Sequence, residues 1–283
     1  YLRLNPLKIN TVILELPDDQ FKKNANALLR SPAQDRLYES IRSIQKAKFR
    51  VLIKIPFRTM KWAILHHPNW RDQQLDPEKQ TLKTIDALDL FHPEVRKMLL
   101  KLCRNIAEYP IDGIIIEQIA YGMEEGYSPF ALAHHQKLFL EKGDLKKVFR
   151  NEKGALKAKL HHSVTPFFWR FVGLKSRYLT NFLNEIGETI RSVQPKMEFG
   201  VAIPDILLVD PIRGLAHTSL DYLGLKEAQI DFYVITSIDA PPEKLHKSLL
   251  KYKRAEKVWL QSHQGTLSSL HQMPISGIVI PYP

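Results

Sequence analysis

Acidic residues recur where apolar runs give way to polar sequence: Asp18 and Asp19, Glu117, Glu124 and Glu125, Asp205, and Asp239. If those runs are parallel strands, their C-terminal ends converge on one face, and carboxyl groups there can act as acid, base or nucleophile. Cleavage of a glycosidic bond suits such a set. One carboxyl protonates the leaving oxygen, while a second attacks the sugar, activates water, or is replaced by the sugar's own N-acetyl oxygen. Glu117 is the sharpest candidate, because it ends the otherwise apolar run Asp112-Gly113-Ile114-Ile115-Ile116-Glu117 and is expected to be partly buried. The structural alternative is a carboxylate paired with a lysine or arginine of a neighbouring strand. Tyr121, Tyr127 and Trp169 are aromatic residues that suit either sugar stacking or core packing.

Other chemistries fit poorly. His66-His67, His134-His135 and His161-His162 are adjacent pairs whose side chains diverge on a helix or strand, and there is no His-Glu-x-x-His run. No metal site and no cofactor is expected. Phosphate-binding glycine loops and a Gly-x-Ser-x-Gly elbow are absent, which disfavours nucleotide-dependent enzymes and α/β-hydrolases. The single cysteine, Cys103, sits in an apolar-periodic stretch and reads as a buried thiol. The net charge of +11 is spread along the chain, with denser groups at Lys142 to Lys159 and Lys244 to Lys257. Such a surface could be solvated helix faces or could attract nucleic acid, anionic glycan or an anionic membrane. No nucleic-acid motif accompanies it, so nucleic acid is a weaker third reading, through the Lys142 to Lys159 segment. No apolar run reaches the roughly 18–20 residues of a membrane helix.

The elements that must position these groups can be read from periodicity. Near-continuous apolar runs rich in β-branched residues occur at Thr11 to Leu16, Phe49 to Ile55, Asp112 to Glu117, Glu198 to Ile203, Asp231 to Ile235, Lys257 to Gln261 and Gly277 to Ile280. Amphipathic helical patterns lie between them at Arg36 to Lys46, Pro93 to Tyr109 and Arg177 to Val193. The alternation predicts an α/β fold, a (β/α)8 TIM-type barrel lacking its first strand in this chain. That strand is expected upstream of Tyr1, with Tyr1 to Leu7 as at most a remnant; the start at Tyr1 reads as a fragment or processed product. Residues 1–283 are expected to form one barrel domain, with an insertion at about 126–168 standing over the C-terminal face.

Several segments together resemble a known family. Phe91-His92-Pro93-Glu94-Val95-Arg96 is similar to a Phe-Asp-Pro-x-Val-Arg helix, Asp112-Gly113-Ile114 to an Asp-Gly-Ile-Leu-Phe strand, and Lys175-Ser176-Arg177 to a Lys-Ser-Arg helix start. These are features of the C-terminal glycoside-hydrolase domain of bacterial poly-β-1,6-N-acetyl-D-glucosamine N-deacetylases, enzymes of biofilm exopolysaccharide. The likeness runs from about Thr11 to the end, with Thr11 opening the second barrel strand. Where the family usually carries His-Asp-Asp and a later acidic residue, this chain has Glu117-Gln118-Ile119 and Glu124. The resemblance implies a carbohydrate-active barrel that hydrolyses a poly-N-acetylglucosamine or glucosamine-type exopolysaccharide. Glu124 would be the lead catalytic carboxylate and Glu117 its partner, with Asp19, Gln118, Tyr121 and Gln261 binding substrate. Glu117, Glu124 and Asp19 are then expected to share one cleft. The resemblance also implies a periplasmic or outer-membrane-associated setting. The alternative, motivated by Gln118, Ile119 and the positive charge, is a catalytically degenerate barrel that binds polysaccharide, including an anionic glycan. Deacetylase activity is not expected of this chain.

Overall fold

Strands that are apolar along their whole length must be covered on both faces. The structure, a computed structural model, describes residues 10–26, 35–141, 143–149, 164–236, 241–251, 258–261 and 277–279. Among these, a seven-stranded sheet runs β1 (Thr11–Glu15), β2 (Arg50–Pro56), β5 (Gly113–Glu117), β6 (Glu198–Ile203), β7 (Phe232–Ile235), β8 (Val258–Gln261) and β9 (Gly277–Val279), in that spatial order. Every ladder in it is parallel. This is the α/β barrel architecture read from the sequence, one strand short of eight among the described residues.

Alternation along each strand separates the two faces. Val51, Ile53, Ile55, Ile114, Ile116, Val201 and Ile203 pack outward with the helices into the main core. Leu52, Ile115, Ala202, Phe232 and Val234, with Ile13 and Trp259, form a second cluster on the inward face. Glu15, Lys54, Glu117 and Gln261 follow those inward residues by two positions, so they share the inward face and lie toward its C-terminal rim. At the opposite end of the same face, Arg50 is ion-paired with Glu198 at 2.6 Å.

Helices α2 (Arg36–Lys46) and α4 (Pro93–Ala107) lie where the periodicity places them. Helix α6 (Pro166–Val193) starts well before Arg177, because Thr165 accepts a hydrogen bond from the Phe168 amide and Pro166 takes the first helical position. The segment 126–168 holds α5 (Pro129–Phe139) and the beginning of α6. Asp239, His161, His162, residues 150–159, residues 252–257 and Tyr1 to Leu7 lie outside the described residues. Cys103 is fully buried, and burial raises its thiol pKa. No helix among the described residues is long and apolar enough to cross a membrane.

An antiparallel hairpin, β3 (Arg71–Asp76) and β4 (Thr81–Leu88), is absent from the sequence reading. It interrupts the connection from β2 to β5. Its strands, Arg-Asp-Gln-Gln-Leu-Asp and Thr-Leu-Lys-Thr-Ile-Asp-Ala-Leu, are half exposed and polar, so they lack the continuous apolar signal of the barrel strands.

Gly113, in the strand that carries Glu117, has a packing role. A Cβ there would lie 2.7 Å from the Glu198 carbonyl oxygen and 2.9 Å from Leu52 Cδ2. Gly113→Ala should therefore destabilise the fold by about 2 kcal/mol through overpacking, read as a lower urea midpoint at unchanged slope. A midpoint equal to that of the parent would show that β5 and β6 can separate at no cost.

Candidate functional site

The inward rim is built around Lys54. It forms ion pairs with Glu15 of β1 and with Glu117 of β5, the latter at 3.3 Å. The registers explain this: Glu15 is the direct partner of Lys54, and Glu117 lies two residues beyond Ile115, its partner on the other side. Burial works against the Lys54 charge, but the hydrogen bond to Glu15 and the charges of both glutamates outweigh it, and its pKa rises. Lys54 and Glu117 are mostly buried, while the Glu15 side chain is 72% exposed and faces solvent. The pairing of Glu117 with a lysine of a neighbouring strand is the structural alternative raised by its sequence position.

A second set of groups lies where β2 and β5 hand over to their loops. Gln118, directly after Glu117, adopts φ +56°, a left-handed conformation that costs a non-glycine residue on the order of 1 kcal/mol. Its side-chain oxygen accepts a hydrogen bond from Thr59. Gln118 and Thr59, with Arg58, Ile85, Asp86, Ala87, Ala120 and Glu125, line a cleft of about 450 Å³ between the hairpin and the loop after β5.

Arg58 forms the floor of this cleft. Its Nη2 donates to Asp72 Oδ2 at 2.7 Å and its Nη1 to Glu125 Oε2 at 2.6 Å; further bonds reach the Ala120 and Leu88 carbonyls. The guanidinium carbon stands 4.3 Å from the centre of the Tyr121 ring. Asp72, on β3, is fully buried and also accepts from the Gly126 amide. Burial pushes its pKa up to about 7; the charge of Arg58 opposes the rise, and the nearby Asp89 adds to it. Asp89 is itself raised by burial. For Glu125, burial alone would raise the pKa, but the charge and hydrogen bond of Arg58 and the Gly122 amide outweigh it and hold Glu125 below the usual carboxylate range. Below this layer Lys175 of α6 is completely buried and donates to the Glu125 carbonyl at 2.8 Å. Burial pulls its pKa down to about 7 against the attraction of Asp72.

The sequence candidates separate accordingly. Gln118 lines the cleft, and Glu117 lies one residue before it, on the inward rim. Glu124 faces the hairpin, accepting from Gln74 Nε2 at 2.8 Å, while its carbonyl accepts from the Leu75 amide. The acidic side chain that reaches the cleft from this pair is its neighbour, Glu125. Asp19 is exposed in the first turn of α1 (Asp18–Asn26), and Gln261 is half buried at the end of β8. Tyr121 requires a correction: its ring is fully buried and its hydroxyl accepts from the Leu90 amide, so it supports Arg58 and offers no face to a sugar. Tyr127 is likewise buried. Arg58, Asp72, Asp86, Asp89 and Glu125 were missed as a group because they lie in four separate segments with no shared spacing. The available signal was the run of polar residues, Arg71 to Asp89, between two barrel strands.

No protein-family model matches the sequence, and no curated protein matches it. Among solved structures, the PgaB (BpsB) glycoside hydrolase domain from Bordetella bronchiseptica is similar over 97% of this chain and 84% of that one, at a TM-score of 0.66 and 16% identity. The β-galactosidase from Bacillus circulans sp. alkalophilus matches 96% of this chain at a TM-score of 0.62 and 11% identity, covering 50% of that chain. That from the haloarchaeon Halorubrum lacusprofundi matches 96% at a TM-score of 0.58 and 12% identity, covering 52%. The fold is the (β/α) barrel that these solved structures share. This chain spans about half the length of those galactosidases, and the identities carry the fold and no further.

Two outcomes test the buried network beneath the cleft of this barrel. Arg58→Met leaves Asp72 and Glu125 without their cation and should cost about 3–5 kcal/mol in chemical unfolding; a loss below about 1 kcal/mol would mean that the acids find other partners. Lys175 titrates near 7 in the fold and at its ordinary 10.5 once unfolded, so between those values the unfolded chain holds the extra proton. Its contribution to stability should rise with pH from about 7 to about 10. Lys175→Met should flatten that slope in urea midpoints measured from pH 7 to 9.5.

Proposed function

We propose that this chain is a polysaccharide-binding barrel that holds an amino-sugar polymer of the glucosamine exopolysaccharide type across its C-terminal rim. The reading rests on one observation: the carboxylates of the rim are held against cations, Glu15 and Glu117 by Lys54 and Glu125 by Arg58. Four acids, Glu15, Asp86, Glu117 and Glu125, stand here against three bases, Lys54, Arg58 and Arg71, the last ion-paired with Asp86 at 3.4 Å. The rim thus carries one more acid than base on a chain whose net charge is +11, and a neutral or cationic hexosamine polymer suits it better than an anionic one. Gln118 and Thr59 add neutral hydrogen-bonding groups for sugar hydroxyls. The biofilm exopolysaccharide setting, and with it a periplasmic or outer-membrane-associated location, belongs to this proposal through the family resemblance.

Glycoside hydrolysis is the second reading, favoured by the position of Glu117 at the inward end of a central strand beside the cleft. Two-carboxyl hydrolysis needs one group that is protonated near neutral pH and able to reach the glycosidic oxygen. Asp72 and Asp89 are raised by burial, but both are sealed beneath the hairpin. Glu125 reaches the cleft, and its lowered pKa keeps it ionised. The geometry therefore suits holding a polymer better than cutting it.

Calorimetric titration with partially deacetylated β-1,6-glucosamine oligomers, followed by mass spectrometry of the same samples, separates the readings. Binding should weaken as salt rises, and Glu117→Gln and Asp86→Asn should each weaken it about tenfold, the worth of one charge-assisted hydrogen bond. Oligomer lengths should stay unchanged. Shortened products that vanish in Glu117→Gln would establish the hydrolase instead. Absence of both binding and products would remove the glucosamine polymer as ligand.

A further inference from the structure

The adjacent histidines His134 and His135 take no part in the rim or the cleft, and both lie on α5. An isolated helix of this length is marginal in water, so α5 depends on its docking. Of its eleven residues only Ala131 and His135 are buried. Ala131 contributes only a methyl group. The C-terminal half of the helix is therefore anchored by His135, while Gln136, Lys137, Leu138 and Phe139 around it are exposed. Its C-cap, Leu140, is 92% exposed and left-handed at φ 52°, a strained conformation for leucine.

His135 is fully buried in a cage of rings. Its imidazole lies parallel to Phe171 of α6, with 4.3 Å between centres and 6° between planes; Phe139 stands at 4.7 Å and Phe167 at 5.2 Å. Neither ring nitrogen has a hydrogen-bond partner among the described residues. The cage suits a neutral imidazole packed as an aromatic ring. An imidazolium there would lose its hydration and gain no acceptor in return. The charged groups that act on the ring are Glu141, just after the helix, and Arg170 of α6, and these two pair with each other at 3.0 Å. Burial pulls the His135 pKa below its ordinary 6.5 and Arg170 adds to the fall, while Glu141 opposes it. Once α5 lifts away, the ring takes up a proton at its ordinary value. Below pH 6.5 the lifted form thus holds more protons than the docked form, and docking weakens as the pH falls. His134 is exposed, with its ring edge-on to Tyr178 at 5.4 Å; partial burial, with Lys137 and Arg96, shifts it in the same direction.

We propose that α5 is a latch, docked on α6 at neutral pH and released in mild acid by protonation of His135. The latch bears on the cleft through packing. Phe171 meets the Tyr127 ring at 5.2 Å, Lys175 stands over that ring, and the chain runs from Glu125 through Tyr127 into the Ser128 cap of the helix. Release of the helix is independent of what the cleft binds. The test is native-state hydrogen exchange at about pH 7.5, 6.5 and 5.5, corrected for intrinsic exchange rates. Protection of the amides at 133–139 should fall about tenfold between the two lower values, the most that one proton can give over one pH unit. Protection in α4 and in α6 should hold. His135→Phe should make α5 protection independent of pH, and His134→Phe should leave most of the fall in place. Constant protection in the parent chain, an equal fall in all three helices, or a fall that survives in His135→Phe would each overturn the latch. An NMR titration of the parent chain needs no variant: the His135 ring should titrate below 6.5, and a midpoint at or above that value would also overturn it.

Discussion

A guanidinium buried between two carboxylates holds the working face of this barrel together. Arg58 leaves the end of β2, meets Asp72 on the hairpin and Glu125 on the loop after β5, and bonds to the Ala120 and Leu88 carbonyls. Three segments far apart in sequence are fixed by one planar group. A lysine could not make these bonds, because they need several donors diverging from a rigid fork. The arrangement is stable only as a set: the low dielectric that strengthens each pair also makes an unmatched charge costly. Tyr121 and Lys175, both sealed beneath the same layer, belong to that set.

The inward face of the sheet is organised in levels along the strands. Arg50 and Glu198 pair at one end, an apolar layer of Ile13, Leu52, Ile115, Phe232, Val234 and Trp259 fills the middle, and Glu15, Lys54 and Glu117 stand at the other end. The middle layer makes the interior a packed core and not a channel. Chemistry is thereby confined to the rim. There the acids carry compensating cations.

Sequence pattern made the barrel legible because burial on both faces writes itself as unbroken Val, Ile and Leu, as in Ile114 to Ile116. It made the hairpin illegible for the converse reason. Arg71 to Leu88 is half exposed and reads as a polar connection, although Asp72 within it is as buried as any core residue. Glu117 was found because it ends an apolar run, and its pairing with Lys54 follows from strand register. Glu124 and Glu125 cannot be distinguished by sequence, since adjacent loop carboxylates look alike until the backbone turns one toward Gln74 and the other toward Arg58. Tyr121 looked like a platform for the same reason: composition records that an aromatic ring is present, but not which side of the loop it occupies. The early start of α6 was readable in principle from Thr165-Pro166.

Besides the side-chain bonds of Asp72 and Gln74, the hairpin is docked through its main chain. The Leu75 amide donates to the Glu124 carbonyl, the Tyr127 amide to the Gln73 carbonyl, and the Leu88 amide to the Arg58 carbonyl. Bonds of this kind are indifferent to side-chain identity. The outward residues from Thr81 to Asp86 are thus free to drift over generations while the ribbon keeps its seat, and one scaffold can change the surface beside its cleft by rewriting a few letters on a strip that the core does not read.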